Sequence, residues 1–370
     1  MNLLLYIPII LTIVYAVSFL TVSWGFYKQK KNDTIIENDA KISVVIAVRN
    51  EESNIEKCIV SLLKQNYAVT DFELIIVDDH STDRTIEIVE EYCKRNQQIR
   101  LLKLSDKNAK KEAIKLGVES AKYSIIATTD ADCTLPPNWL KIISSKFKGD
   151  ASMLLGPIEF NEQNGFLNVF QQLDMFAMQG LTFGLLNYKK PVLNNGANLA
   201  FLKQDFLNSF SKINNKTPSG DDVFLLEELK IKNKKIVGFL HNEFIVNTKS
   251  ENTFREFFNQ RIRWASKSKY YKNNWLVFFS FLVLTINLIS IFIYFHLVLI
   301  DKNRGIYIIL ILTKWLIDFI LLFLVSSFFD KRRKMTYFVP VQLVYPFYIL
   351  VVGFLSFFIK FNWKGRVYNG

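Results

Sequence analysis

Ile42-Ser43-Val44-Val45-Ile46-Ala47-Val48-Arg49-Asn50-Glu51-Glu52 decides the fold, because a continuous β-rich apolar run ends abruptly in four polar residues. Such a run reads as a strand buried on both faces. Helical spacing follows over Asn54 to Gln65 through Ile55, Cys58, Ile59, Leu62 and Leu63, and Leu74 to Val77 is strand-like again. The alternation continues with a helix near Asp83 to Arg95, a strand near Ile99 to Leu104, a helix near Lys107 to Ala121 and the strand Ser124 to Thr129. Apolar strands separated by helices predict an α/β domain, a mostly parallel sheet covered on both faces. In such sheets ligands bind beyond the carboxyl ends of the strands.

Polar residues stand at those ends. The first strand runs into Arg49-Asn50-Glu51-Glu52, the second into Asp78-Asp79-His80-Ser81, and Ser124 to Thr129 into Asp130-Ala131-Asp132. The glycine loops of dinucleotide and P-loop proteins are missing, so phosphate needs another partner. A hard divalent cation bridging carboxylate to phosphate oxygens is one solution. Asp130 and Asp132 suit it if the segment is extended, because residues i and i+2 then share a side. A lone D-x-D is more often a turn or a cap. Ser81 or Asp83 reads as a cap, whereas Asp78 and Asp79 lie before it, where a carboxylate can accept a uracil N–H or a ribose hydroxyl. Ser219-Gly220-Asp221-Asp222 precedes a helix start, and acidic residues there suit the helix dipole. Transfer to a hydroxyl also needs a general base, a role open to one of this pair.

Thr253 to Lys272 carries two stripes. Phe254, Phe257, Phe258, Ile262 and Ala265 share one, while Gln260, Arg263 and Trp264 share another. The reading is an amphipathic interfacial helix with its phenylalanines in a membrane surface. Arg suits bidentate phosphate contact, and Trp stacks on sugar or base planes.

Outside this core the chain turns apolar. Leu3 to Phe26 lacks charge, and at 1.5 Å per residue its 24 residues span roughly 36 Å, enough for a bilayer. No early Lys or Arg precedes it and Trp24 and Phe26 close it, so a retained anchor is expected rather than a signal peptide. Trp275 to Ile300, Ile306 to Phe329 and Phe338 to Ile359 are similarly apolar. The expected plan is an anchor over 1–27, a cytoplasmic domain over 28–252, the interfacial helix over 253–274 and a C-terminal membrane region over 275–370. Lys28, Lys30, Lys31, Lys267, Lys269 and Lys272 flank the apolar blocks, which by the positive-inside rule puts the domain in the cytoplasm at the inner membrane. Those flanks assign the net charge of +12 to a membrane surface rather than to nucleic acid. Cys58, Cys93 and Cys133 lack the spacing of a zinc site or disulfide framework. Lys314 and Asp318, four apart in an apolar block, are expected to pair.

With five motifs in order, the stretch from Lys41 to Trp264 resembles family 2 glycosyltransferases. They are Val44 to Glu51, Val77 to Asp83, Asp130-Ala131-Asp132, Gly220-Asp221-Asp222 and Gln260-Arg261-Ile262-Arg263-Trp264. The resemblance implies a GT-A-like nucleotide-diphospho-sugar transferase domain. Arg49, Glu51 and Asp79 would line the nucleoside pocket, Asp130 would help hold the donor, and Asp132 would ligate Mg²⁺ or Mn²⁺. The family's base, the Asp of a Glu-Asp pair, falls on Asp222, with Asp221 in place of the usual Glu. Gln260, Arg263 and Trp264 match Q-x-x-R-W, placed in the family at the acceptor and diphosphate end. Asn195-Gly196-Ala197-Asn198 resembles an acceptor-side loop, though Gly and Asn are equally good turn formers. The implied reaction is inverting transfer of a sugar, from a UDP-sugar by preference, to a lipid or saccharide acceptor. A processive polysaccharide synthase is the alternative, and a non-catalytic sensor or scaffold a more distant one.

Overall fold

The computed structural model describes residues 3–29, 38–105, 109–212, 220–299, 304–358, 361–363 and 366–368. Lys30, Lys31, Lys107 and Ser219 lie outside them. The chain opens with the long helix α1 (Leu3–Gln29) and then alternates: β1 (Ile42–Val48), α2 (Ile55–Leu63), β2 (Phe72–Asp78), α3 (Thr85–Arg95), β3 (Ile99–Lys103), α4 (Lys110–Ser120) and β4 (Ile125–Thr128). Next come α5 (Trp139–Lys146), β5 (Ala151–Leu155), β6 (Ile158–Phe160), α6 (Phe166–Leu186), β7 (Leu199–Leu202), α7 (Lys203–Phe210), α8 (Asp221–Ile231), β8 (Lys235–Gly238) and β9 (Val246–Thr248). Helices α9 (Phe254–Ala265), α10 (Asn274–Val298), α11 (Arg304–Phe328) and α12 (Phe338–Phe358) follow, then the hairpin β10 (Phe361–Trp363) and β11 (Arg366–Tyr368).

These elements pack as two compact units. One holds Lys30–Asn161 and Leu193–Ser250. Its seven-stranded sheet has the order β3-β2-β1-β4-β7-β5-β8. Strands β3, β2, β1 and β4 are mutually parallel, so the loops after β1, β2 and β4 leave at one edge. Strand β7 runs antiparallel to β4 and β5. Six of the seven β1 residues are buried, and each buried Val or Ile contributes about 1.5–3 kcal/mol. Helix α4 covers the sheet with Ala113, Ile114, Gly117 and Val118. A β-carbon on Gly117 would meet Val45 Cγ1.

The other unit holds Met1–Gln29, Glu162–Val192 and Glu251–Gly370. Four of its helices, over Tyr6–Gln29, Asn274–Val298, Arg304–Phe328 and Arg332–Phe358, are long and apolar enough to cross a membrane. Segment Glu162–Val192 packs with these rather than with the sheet. Its helix α6 buries Gln171, Gln172, Asp174, Gln179 and Thr182, polar residues that lower its hydropathy without keeping it in solvent. Helices α1 and α6 cross closely at Gly25 and Gly184, where an added β-carbon on either glycine would strike the other helix. Lys314 does pair with Asp318, at 2.9 Å. Its ammonium also donates to Gln342 Oε1 at 2.6 Å, and Tyr15 donates to Asp318. Partners on three helices thus satisfy both charges in an apolar surround, where an isolated one would be costly.

Gly117→Ala should cost stability although alanine is the better helix former. The gain of up to about 1 kcal/mol in propensity is outweighed by about 1–3 kcal/mol of overpacking against a strand side chain with no room to move. Gly149→Ala, with nothing within 4 Å of the new carbon, is the matched control, both read by thermal unfolding in detergent.

Candidate active site at the carboxyl edge of the sheet

The loops after β1 and β2 are stapled together. Arg49 Nη1 donates to the carbonyls of Asp79 and His80, at 2.7 and 3.2 Å. The N–H of Asn50 donates to Ser81 Oγ, that of Glu51 to Thr85 Oγ1, and that of Thr82 back to Asn50 Oδ1. Such turns require positive φ at the strand ends, and Asn50 (52°) and His80 (61°) adopt it. Non-glycine residues hold that conformation only where surrounding bonds over-determine it. Asp83 accepts from the Thr85 N–H and hydroxyl, but the N-cap of α3 is Arg84, without a side-chain cap bond, rather than Ser81 or Asp83. Asp78 spends both carboxylate oxygens on the Ser81 N–H at 3.2 Å. Asp79 is buried, with Oδ1 3.2 Å from His80 Nδ1.

Strand alternation is not what unites Asp130 and Asp132. Asp130 to Cys133 is a turn closed by the Cys133 N–H on the Asp130 carbonyl at 3.1 Å. Two buried thiols support it: Cys58 Sγ donates to the Asp130 carbonyl and Cys133 Sγ to Asp132 Oδ1, each at 3.6 Å. Burial and then the negative charges of Asp130 and Glu51 push the Asp132 carboxyl from 3.8 up to about 6. Glu51, Asp130 and Asp132 are therefore electrostatic neighbours although two different stretches carry them.

Lys110 was not singled out from the sequence. It forms an ion pair with Asp130. Burial would lower its pKa, but Asp130, Asp221 and Asp222 together hold it above the ordinary lysine value. Its position offered a signal: Lys110 and Lys111 open α4, the helix end where the dipole disfavours cations. A lysine there calls for a carboxylate partner.

That lysine links the D-x-D turn to α8. Gly220, at φ 101°, turns the chain into α8, and the Asp222 carboxylate accepts the N–H groups of Gly196 and Val223 at 3.0 and 2.9 Å. Loop Asn195 to Asn198 thus does two jobs. Gly196 orients Asp222, while buried Asn198 accepts from Trp139 Nε1 and donates to the carbonyls of Pro157 and Phe244.

Gln260, Arg263 and Trp264 lie in the other unit, on α9. A capping box of Thr253 and Glu256 starts this helix. The proposed phenylalanine stripe is largely covered by protein: Phe257 and Ile262 are buried, Phe257 stacks on Tyr348, and Phe254 is exposed. Burial followed this helix's neighbours, which periodicity does not reveal.

Residues 43–209 match the sequence profile of Glycosyl transferase family 2. That stretch of the chain is similar to members of this family. Among similar proteins, Glycosyltransferase AglE of Haloferax volcanii is 28% identical over 183 residues, 49% of this chain and 59% of that protein. The poly-beta-1,6-N-acetyl-D-glucosamine synthase of Staphylococcus epidermidis is 24% identical over 187 residues, 48% of this chain and 44% of that one. The match thus spans about half the length of these curated relatives. The mannosyltransferase PcManGT from Pyrobaculum calidifontis, solved with GDP-Man and Mn²⁺, superposes with a TM-score of 0.57 at 14% identity, over 96% of this chain and 99% of that chain. That likeness is one of fold, and the chain has a GT-A-like architecture.

Among the described residues no three His, Cys, Asp or Glu side chains close round one point. The donor chemistry nonetheless fits a hard divalent cation, since crowded carboxylates resist ionising together until positive charge joins them.

Because the folded chain keeps the Asp132 proton up to about pH 6 and the unfolded chain releases it near 3.8, this group's contribution to stability falls as pH rises through that window. Asp132→Asn should therefore unfold at a higher temperature than wild type at pH 7.5 in EDTA and match it near pH 4. A variant less stable than wild type at pH 7.5 would contradict the crowding.

Proposed function

We propose that the chain is an inverting glycosyltransferase that moves a sugar from a nucleotide-diphospho-sugar, a UDP-sugar by preference, to a lipid or saccharide acceptor at the cytoplasmic face of a membrane. One observation carries the reading: Glu51, Asp130 and Asp132 crowd at the carboxyl edge of a parallel sheet, and Lys110 ties them to Asp221 and Asp222. PcManGT's GDP-Man and Mn²⁺ and the glycosyltransferase names of the relatives support it.

Arg49, Glu51 and Asp79 bind the nucleoside, and Asp130 helps hold the donor. Asp132 would hold a Mg²⁺ or Mn²⁺ ion, which would supply charge neutralisation for the departing diphosphate. Asp222 takes the proton of the acceptor hydroxyl, its carboxylate aimed by the Gly196 and Val223 N–H groups. The freed oxygen attacks the anomeric carbon as the nucleoside diphosphate leaves from the opposite face, inverting the configuration. Asp221 and Gln260 contact the acceptor, Arg263 the diphosphate, and Trp264 offers a sugar a flat apolar face.

Membranes containing the chain, given UDP-glucose, UDP-N-acetylglucosamine or GDP-mannose, should release nucleoside diphosphate and form a glycosylated product detected by mass. EDTA should stop the reaction and Mn²⁺ restore it. Asp222→Asn should lower turnover by about 10²–10⁴-fold, the worth of a general base, with donor affinity unchanged. Wild-type turnover in that variant would remove Asp222 from the role. The staphylococcal synthase among the relatives favours a second reading, processive synthesis. A ladder of product masses, rather than one added sugar, would establish it.

A further inference from the structure

Arg261 stands inside the Q-x-x-R-W stretch at a position the motif leaves open, yet its charge is buried. Gln260, Arg263 and Trp264 are partly exposed, whereas Arg261 is 3% and its partner Asp174 on α6 is 5% exposed. Arg261 Nε donates to Asp174 Oδ2 at 2.7 Å. Tyr345 and Tyr348 of α12 donate to the two oxygens of the same carboxylate, each at 3.3 Å. Three helices therefore converge on one buried carboxylate.

The other side of the guanidinium faces the motif. Nη1 donates to Gln260 Oε1, and the planar group lies 4.3 Å from the centroid of the Trp264 ring and 4.8 Å from that of Phe257. Gln260 Nε2 in turn donates to Glu251 Oε1 at 2.7 Å; the Glu251 carbonyl accepts from the Gln171 side-chain Nε2 of α6 at 2.9 Å, and the Glu251 N–H donates to Gln171 Oε1 at 3.0 Å. Arg261 thus spends Nε on Asp174 and Nη1 on Gln260, one on each side of the group. A buried pair of this kind is weak evidence for stability, since apolar residues of similar volume often serve as well. Its distinctive product is direction: a rigid fork can fix an amide and an indole together, which a flexible ammonium cannot.

We infer that Asp174 and Arg261 are positioning residues that hold the Gln260 amide and the Trp264 ring in the orientation that glycosyl transfer uses. The inference rests on the transferase reading above, and the pair acts through these two side chains rather than on substrate.

The test uses the full chain in detergent and the variant Arg261→Lys, which keeps a cation opposite Asp174 but loses the fork and the stacking plane. Tyr345→Phe, a milder loss at the same carboxylate, is the second variant, and Ile262→Val on the buried face of α9 is the packing control. Three quantities are read: kcat, the Kd for UDP-N-acetylglucosamine and GDP-mannose with Mn²⁺, and the thermal midpoint. Arg261→Lys should lower kcat at least tenfold while the midpoint stays close to that of Ile262→Val and donor Kd stays within threefold of wild type. Tyr345→Phe should lower kcat by a smaller factor. Ile262→Val should leave kcat unchanged. Wild-type kcat in Arg261→Lys would overturn the inference while leaving the transferase reading intact. So would a kcat loss that Ile262→Val reproduces at the same midpoint. A wild-type chain that binds neither donor and releases no nucleoside diphosphate would sink the transferase reading, and this inference with it.

Discussion

Repulsion among carboxylates gathered where parallel strands end is the constraint around which the sheet unit is organised. Parallel pairing of β1 with β2 and β4 sends their loops out at one edge, so the acidic residues that follow each apolar run cannot avoid one another. The chain manages the crowding by three means. Lys110 pairs with Asp130, backbone N–H groups occupy Asp78 and Asp222, and Asp132 takes the remaining penalty as a raised pKa. Charge left in that condition is receptive to a cation, the property a diphosphate-handling site needs.

Scaffold and candidate chemistry share residues at this edge. Arg49, Asn50, Ser81 and Thr82 spend hydrogen-bonding capacity on joining two loops, and Asn198 on tying the chain around Trp139 and Phe244. The thiols of Cys58 and Cys133 sit under the D-x-D turn, protonated because burial and then the neighbouring aspartates push both well above the usual thiol range. They act as small buried donors.

The apolar unit solves a different problem with similar means. Where water is scarce, each polar group needs a protein partner. Lys314, Asp318, Gln342 and Tyr15 meet that need between helices α1, α11 and α12. Asp174 with Arg261, Tyr345 and Tyr348 does so between α6, α9 and α12. Both clusters specify which helix faces meet, something apolar contact alone leaves loose.

Strand-helix alternation, the polar endings of β1, β2 and β4, the four apolar helices and the Lys314–Asp318 pair were all legible in the amino-acid order. Each is set by local periodicity or by spacing of at most a few residues, and local rules act on what is near in sequence. Tertiary structure alone decided the rest. It put Lys110 beside Asp130 and within reach of Asp222, made a turn of Asp130 to Cys133, drew α6 among the apolar helices and buried Arg261 against Asp174. Those outcomes depend on which surfaces meet across long sequence separations, and the energy of a buried charge is set by the partner it finds there.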